Sequence, residues 1–305
     1  MTHVSRRSFL KASALGAAAA AVALPASPLL VARAQTAGRI GRVYTLDKGA
    51  VRLHTYIAPD GSASVTSHIV ETPNSLVVID TQFLQTFAAE VKALADSVGK
   101  PIDRVILSHA HPDHFLGANQ FADAPLVTTA TIAAELDAYI AADSVQGAAA
   151  LVGEAEVPPE VRPAEGSLEL GDTVIDGVTF NVEQVSNAEA TETLVIRIPE
   201  VGAVVLQDLL FSDNHFFPGV DRANWIAELE NLRGNLEGFD TLLPGHGLPT
   251  TPGALDDAIA YLTFANETVA NAATAQDIID ALQAEYPTYD GTLILSFWNQ
   301  FFQPS

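Results

Sequence analysis

The sequence predicts a mixed α/β (α+β) fold, and three observations carry that prediction. Leu76-Val77-Val78-Ile79 is a continuous apolar run of the kind a strand buried on both faces shows. A helically spaced segment follows it (Phe87, Val91, Leu94, Val98), and then a second apolar run from Ile102 to Leu107. Strand, helix and strand in that order imply parallel strands joined by a crossover helix. On either side, alternating segments meet at short Asp-Gly or Pro/Gly turns, as antiparallel hairpins do. Finally, the chemistry-bearing residues fall where strands end, which is where such folds place their sites.

The first 34 residues stand apart from this pattern. Ser5-Arg6-Arg7-Ser8-Phe9-Leu10-Lys11 precedes an alanine-rich apolar segment from Ala12 to Leu24, and Ala32-Arg33-Ala34 offers a small-residue cleavage site. Paired arginines, a short apolar core and an A-x-A end describe a twin-arginine export signal. The core is mild and is followed by Pro25 and Pro28, whereas a spanning helix needs about 20 strongly apolar residues. We therefore expect residues 1–34 to be an export signal and residues 35–305 a single domain, periplasmic or secreted, with no stable membrane anchor after cleavage. Cysteine is absent, which excludes disulfides and thiolate chemistry. The formal charge is −22; the signal holds Arg6, Arg7, Lys11 and Arg33 and no acid, so the remainder carries about −26. A field of that sign excludes nucleic acid and anionic membranes as partners and leaves a small-molecule substrate. The oligomeric state is not encoded in any pattern.

Taken in order, residues 35–50 read as a linker. Val51 to Ile57 alternates as a half-buried strand, and Asp60-Gly61 reads as a tight turn into Ser64 to Val70. The strand Leu76–Ile79 ends at Asp80-Thr81, and a helix from Phe83 to Val98 is stopped by Gly99-Lys100-Pro101. Ile102 to Leu107 is the next strand. A short helix over Leu116–Phe121, a strand over Pro125–Thr128 and a helix from Ala130 to Ala142 follow. Residues 143–166 are poor in pattern and read as a loop or lid, or else a flexible surface insertion. Ser167 to Val185 forms a hairpin turning at Asp176-Gly177, and Thr193–Ile198 pairs with Ala203–Gln207 across Pro199-Glu200-Val201-Gly202. Trp225 to Leu236 is helical, Thr241–Leu243 is a short strand, and helices span roughly Gly253–Ala270 and Thr274–Glu285, with Thr274 as N-cap of the second.

The stretch that organises the chain is Ser108-His109-Ala110-His111-Pro112-Asp113-His114. Extended backbone points His109 and His111 the same way, and the proline then turns the chain to present Asp113 and His114 nearby. Imidazole and carboxylate are the ligands that zinc and similar divalent ions accept. Further ligands should also lie at strand ends. Asp208 is embedded in the apolar run Val204 to Phe211, an expensive place for a carboxylate unless it is paired or ligated. His246 sits in Pro244-Gly245-His246-Gly247, directly after a strand. After Val185, Glu189 is the third candidate, with Asn187 and Glu192 as alternatives.

This combination resembles the metallo-β-lactamase fold hydrolase superfamily, from about residue 50 to 285 and in the family's motif order. The resemblance implies a four-layer αββα sandwich with a dinuclear metal site, two divalent ions and most commonly zinc, with manganese or iron possible, along one edge of its two sheets. Position by position, it implies that His109 and His111 bind a first ion, that Asp113, His114 and His246 bind a second, and that Asp208 bridges. The family's usual third histidine of the first site has no counterpart here. Asn187-Ala188-Glu189-Ala190 is similar to the alkylsulfatase branch, where a glutamate ligates, which assigns Glu189. The implied activity is hydrolysis of an ester, lactone or related bond by a metal-bridging hydroxide, since two ions about 3.5–4 Å apart bring a shared water towards a pKa of about 7. Alkylsulfatase-like hydrolysis of a sulfate ester, or a non-catalytic metal- or ligand-binding role, are the alternatives. Asp113 could orient the nucleophile or move its proton. His215 could contact substrate or lie on the surface, and Asp80 could hold a ligating imidazole from behind. His54, His68 and Trp298 read as structural. Substrate selectivity is expected in residues 143–166 and around Phe115 and Phe216-Phe217.

Overall fold

A computed structural model describes residues 40–302; the export signal lies outside the described residues. Two sheets face each other, with helices on both outer surfaces in four αββα layers. The first sheet has the order β1-β2-β3-β4-β5-β6-β7. Its strands are β1 (Arg42–Asp47), β2 (Arg52–Ile57), β3 (Thr66–Glu71), β4 (Leu76–Ile79), β5 (Ile102–Ile106), β6 (Leu126–Thr128) and β7 (Gly166–Ser167). The first four pair antiparallel as a meander. From β4 onward the pairing is parallel, with helix α1 (Gln85–Val98) as the crossover. The change of direction follows the sequence pattern: β4 is fully buried, and α1 buries Phe87, Ala88, Val91, Leu94 and Ala95 against it. A glycine in the left-handed region, Gly99 at φ 76°, ends α1.

The second sheet runs β12-β11-β10-β9-β8. Strands β8 (Gly171–Ile175) and β9 (Val178–Ser186) meet at Asp176-Gly177, both with positive φ (51° and 80°), the conformation a two-residue hairpin turn requires. Strand β10 (Glu192–Ile198) pairs antiparallel with β9 and with β11 (Ala203–Ser212), and β12 (Thr241–Gly247) lies parallel to β11 across helix α5 (Arg222–Gly234). Helices α6 (Ala254–Asn271) and α7 (Ala275–Glu285) complete that outer layer. Thr274 caps α7 in a reciprocal capping box with Asp277.

One core cluster joins both inner sheet faces with α1; another packs β11 and β12 against α5, α6 and α7, around the fully buried Trp225. The remaining helices, α2 (Pro112–Phe115), α3 (Ala130–Ala141), α4 (Val145–Val152), α8 (Thr292–Leu295) and α9 (Trp298–Phe301), sit around one edge of the sandwich or close it. Among the described residues no helix is long and apolar enough to cross a membrane.

Several expectations need correction. Residues 42–47, read as linker, form β1 by pairing along the whole of β2. The Asp60-Gly61 turn is longer than a two-residue hairpin: Asp60–Ser62 is a 3₁₀ turn, and Ala63 and Ser64 follow at φ 55° and 53°. Residues 143–166 are not featureless, since they contain α4 and a 3₁₀ turn at Glu154–Glu156. The strands carrying Asp208 and His246 continue through those residues to Ser212 and Gly247 rather than stopping short of them.

Candidate metal centre

Strand β5 delivers the histidine motif to the edge between the sheets. His111 keeps extended backbone (φ −92°, ψ 142°), Pro112 then occupies the first turn of α2, and the change from strand to helix splits the motif into two groups. His109, His111, Glu189 and Asp208 bring one donor atom each within 4.8 Å of one another, and so do Asp113, His114, Asp208 and His246. Asp208 belongs to both groups. Its Oδ1 lies 3.1 Å from His114 Nε2, and its Oδ2 lies 3.3 Å from His246 Nε2 and 3.7 Å from His109 Nε2. Glu189 faces His111 Nδ1 at 3.4 Å and His109 Nε2 at 3.9 Å. Asp113 Oδ2 is 3.5 Å from both His114 and His246.

The histidines are held from behind. His114 Nδ1 donates to Asp80 (2.8 Å) and His246 Nδ1 to the Ala63 carbonyl (2.7 Å), while His109 Nδ1 meets the Ser108 hydroxyl (2.9 Å). Each such bond leaves the opposite ring nitrogen, Nε2, facing the centre as an acceptor. Asp80 is fully buried and also accepts from the Ser108 amide, the Ser108 hydroxyl and the Gln207 amide. Gln207 takes a left-handed φ of 44°, and there the register between β11 and β12 shifts; this break lets Asp208 turn inward from the middle of an apolar strand. The unusual Ala63-Ser64 backbone has a parallel purpose, because it carries the Ala63 carbonyl to His246.

The electrostatics are those of carboxylates and imidazoles crowded into one buried site. Burial pushes Glu189 well above the usual carboxylate range, and the carboxylates of Asp208 and Asp113 add to the push. Burial would also raise Asp208 and Asp113, but the adjacent His114 and His246 hold both well below their ordinary values. His109 and His111 are lowered, mainly by burial. His109 Nε2, His114 Nε2, both Glu189 oxygens and Asp208 Oδ1 are buried without a hydrogen-bond partner. Five converging orphan donor atoms are what a divalent ion would satisfy, and an all-N/O set without sulfur suits zinc, manganese or iron. The residues present therefore fit a metal pair.

The family model described as the metallo-beta-lactamase superfamily matches residues 61–255, and that span contains every residue of both donor groups. The chain belongs to the metallo-beta-lactamase superfamily. A model of the twin-arginine translocation pathway signal sequence matches residues 3–23, so the protein is exported by that route. Among solved structures, it resembles a metallo-beta-lactamase from Pontibacter korlensis with 19% identity and a TM-score of 0.57, covering 73% of this chain and 99% of that one. A Pseudomonas aeruginosa metallo-beta-lactamase solved in a mono-zinc form matches at 17% identity and a TM-score of 0.55, covering 72% and 95%. A stereoselective inverting sec-alkylsulfatase from a Pseudomonas species matches at 16% identity and a TM-score of 0.57; 82% of this chain covers 49% of that enzyme, about half its length. These likenesses bear on the fold.

Of the residues singled out from sequence, His109, His111, Asp113, His114, Glu189, Asp208 and His246 converge. Glu192 instead accepts from Gln184 and Ser186, and Asn187 is exposed. His215 is neither at the surface nor on the cavity wall. It is 1% exposed, bonds Tyr261 at 3.1 Å and sits among Tyr261 and Tyr289 behind Phe216, so the structure does not support substrate contact. Above the centre opens a cavity of about 1380 Å³. Helix α4, within the stretch read as a loop or lid or else a surface insertion, lines one wall, and Phe217 lies on another with its ring 5.6 Å from that of His111. Phe115 and Phe216 are buried in the core instead. No sequence signal announces that the C-terminal segment, with Phe297, Trp298 and Phe301, lines the cavity beside Arg222. That segment lacks periodicity, and Arg222 lies just ahead of the helix read from Trp225 to Leu236, with no motif to mark it.

Proposed function

We propose that the protein is an exported, metal-dependent hydrolase that cleaves an ester, lactone or related bond in a small molecule. The observation that supports this reading best is the pair of donor groups sharing one carboxylate, Asp208, at the floor of a large, mostly apolar cavity. His109, His111 and Glu189 would hold one ion, Asp113, His114 and His246 a second, and Asp208 both. Zinc is the first choice. Bound ions would supply Lewis acidity and bring a water within reach of ionisation at neutral pH.

The chain's own residues do the rest. Asp80 and the Ala63 carbonyl fix the tautomers of His114 and His246. Asp113, held ionised by its histidine neighbours and partly open to the cavity, can accept and return a proton at Oδ2. Phe217, Phe297 and their neighbours exclude bulk water from the scissile bond and bind its apolar substituents. A sulfate ester is the second reading. It is favoured by Glu189 in the first donor group and by the likeness to an alkylsulfatase fold.

The test is metal content together with hydrolysis. The mature protein should carry two equivalents of metal and cleave members of an ester, lactone and sulfate-ester panel, with activity lost to chelators and restored by zinc, manganese or iron. One equivalent or none, with no turnover on any substrate, would leave a metal- or ligand-binding module instead. Glu189→His should change metal affinity; an unaltered variant would remove Glu189 from the set.

A further inference from the structure

In a protein with 37 acidic and 15 basic residues, a cation without an acid beside it calls for a reason. Among the described residues, Lys48, Arg52, Lys92, Lys100, Arg104, Arg162, Arg197 and Arg233 all form ion pairs. The exposed Arg42 and the half-buried Arg222 do not. Arg222 lines the catalytic cavity. Its Nε donates to the Asn266 side chain (2.7 Å) and one terminal nitrogen to the Pro218 carbonyl (2.8 Å), so both bonded partners are neutral. Its guanidinium stands 5.1 Å from the ring centre of Trp298. Burial lowers the guanidinium's pKa, and the charge on Asp221 opposes that. Asp221 feels that charge but makes no ion pair with it, and a half-buried cation without a salt bridge is costly unless something supplies a closer counter-charge.

Trp298 adds a second, independent observation. The residue is 3% exposed, lines the same cavity, and its Nε1–H is buried without a hydrogen-bond partner among the described residues. Guanidinium and indole N–H are both donors only. Side by side on one wall, they can be satisfied by a group rich in acceptor oxygens and negatively charged. Around them the wall is apolar, and the mouth carries Leu151, Val220, Leu293 and Phe301, four of the seven large hydrophobic side chains exposed on the described surface.

We propose that Arg222 and Trp298 form an anion-recognition subsite, so that the cavity selects amphiphiles carrying a carboxylate or sulfate group on an apolar body. The subsite rests on reading this cavity as the substrate site, and it offsets locally the negative field that otherwise repels anionic ligands.

The experiment measures binding, so it stands whether or not hydrolysis is found. Decanoate, decyl sulfate and 1-decanol, each below its aggregation limit, are titrated into the metal-loaded mature protein by calorimetry and by tryptophan fluorescence. Of the two tryptophans, Trp225 is sealed in the core on the Leu209 carbonyl, which leaves Trp298 as the cavity reporter. At least one anion should bind ten-fold or more tighter than the alcohol and alter the emission. Preference for decanoate assigns a carboxylate, for decyl sulfate a sulfate, and for both their shared oxyanion chemistry. Arg222→Gln should abolish the preference while leaving the alcohol unchanged, and Arg222→Lys should keep part of it. Repeating the titration after chelation should preserve the preference. Equal binding of alcohol and anions by the wild-type protein overturns the proposal without any variant having to fold. A preference that survives Arg222→Gln or vanishes with the metals places the anion elsewhere and overturns it equally.

Discussion

Gly245 is the position where the smallest change should do the most damage. A Cβ there would lie 1.8 Å from Asp208 Oδ1 and 2.8 Å from both the Asp208 nitrogen and the Gln207 carbonyl carbon. Ordinary contact begins at 3.4 Å, so Gly245→Ala must displace the shared carboxylate by about 1.6 Å or push β12 off β11. The backbone atoms cannot rotate away, and Oδ1 is the atom 3.1 Å from His114 Nε2. Overpacking of this kind costs about 1–3 kcal/mol, which for a chain of this size lowers Tm by roughly 2–6 °C. A ligand misplaced by more than about 1 Å should cost on the order of 10²-fold in activity, with metal affinity falling alongside. The assay pairs calorimetric melting with metal analysis after dialysis against limiting zinc. Gly234→Ala is the control: no heavy atom lies within 4 Å of the added carbon, and the variant should melt at or slightly above the wild-type temperature. Wild-type Tm and full metal content in Gly245→Ala would refute the claim that this glycine exists to admit Asp208.

Asp80→Asn keeps the shape of a buried acceptor but removes the charge that orients His114, and should lower metal affinity by about 10–100-fold in a chelator competition; unchanged affinity would make Asp80 merely structural. His68 is fully buried and its pKa falls from 6.5 to about 4, chiefly through burial. The unfolded chain therefore binds a proton that the native state refuses between those values, so stability rises with pH across that window and is lost as pH falls from about 6.5 towards 4. The lost stability amounts to about 3 kcal/mol. Urea titrations at pH 7 and 4.5 should show this loss shrinking in His68→Gln, and an equal loss in the variant would assign the acid sensitivity elsewhere. His215→Phe removes one buried hydrogen bond to Tyr261 and should cost about 1 kcal/mol in stability with kcat and KM untouched; a changed KM would return His215 to the substrate site.

Much of this fold was readable because its strongest signals are local. The β4–α1–β5 unit announces itself through an apolar run, a helical period and a glycine stop, and the His109–His114 motif lies within a single chain turn. Asp208 was legible for a different reason, since a carboxylate inside an apolar strand demands a partner. What escaped depends on distant pairing. Strand β1 has no alternation of its own and exists because β2 offers an edge. The C-terminal segment holds its place through long-range contacts, such as the Gly291 amide on Asp60 and the Asn214–Asp290 bridge. His215 misled because proximity in sequence to Asp208 is not proximity in space: β11 carries the chain away from the centre and into the aromatic cluster around Tyr261.

The donors come from both sheets, four from the β5 end of the first and Glu189, Asp208 and His246 from the second. Neither sheet alone can assemble either donor group, and the pieces span the chain from residue 109 to residue 246. Metal uptake during refolding would therefore report the docking of the two sheets rather than the formation of either one alone. The ions would then act as a rivet across the inter-sheet seam, so that losing them loosens the seam before it unravels either sheet.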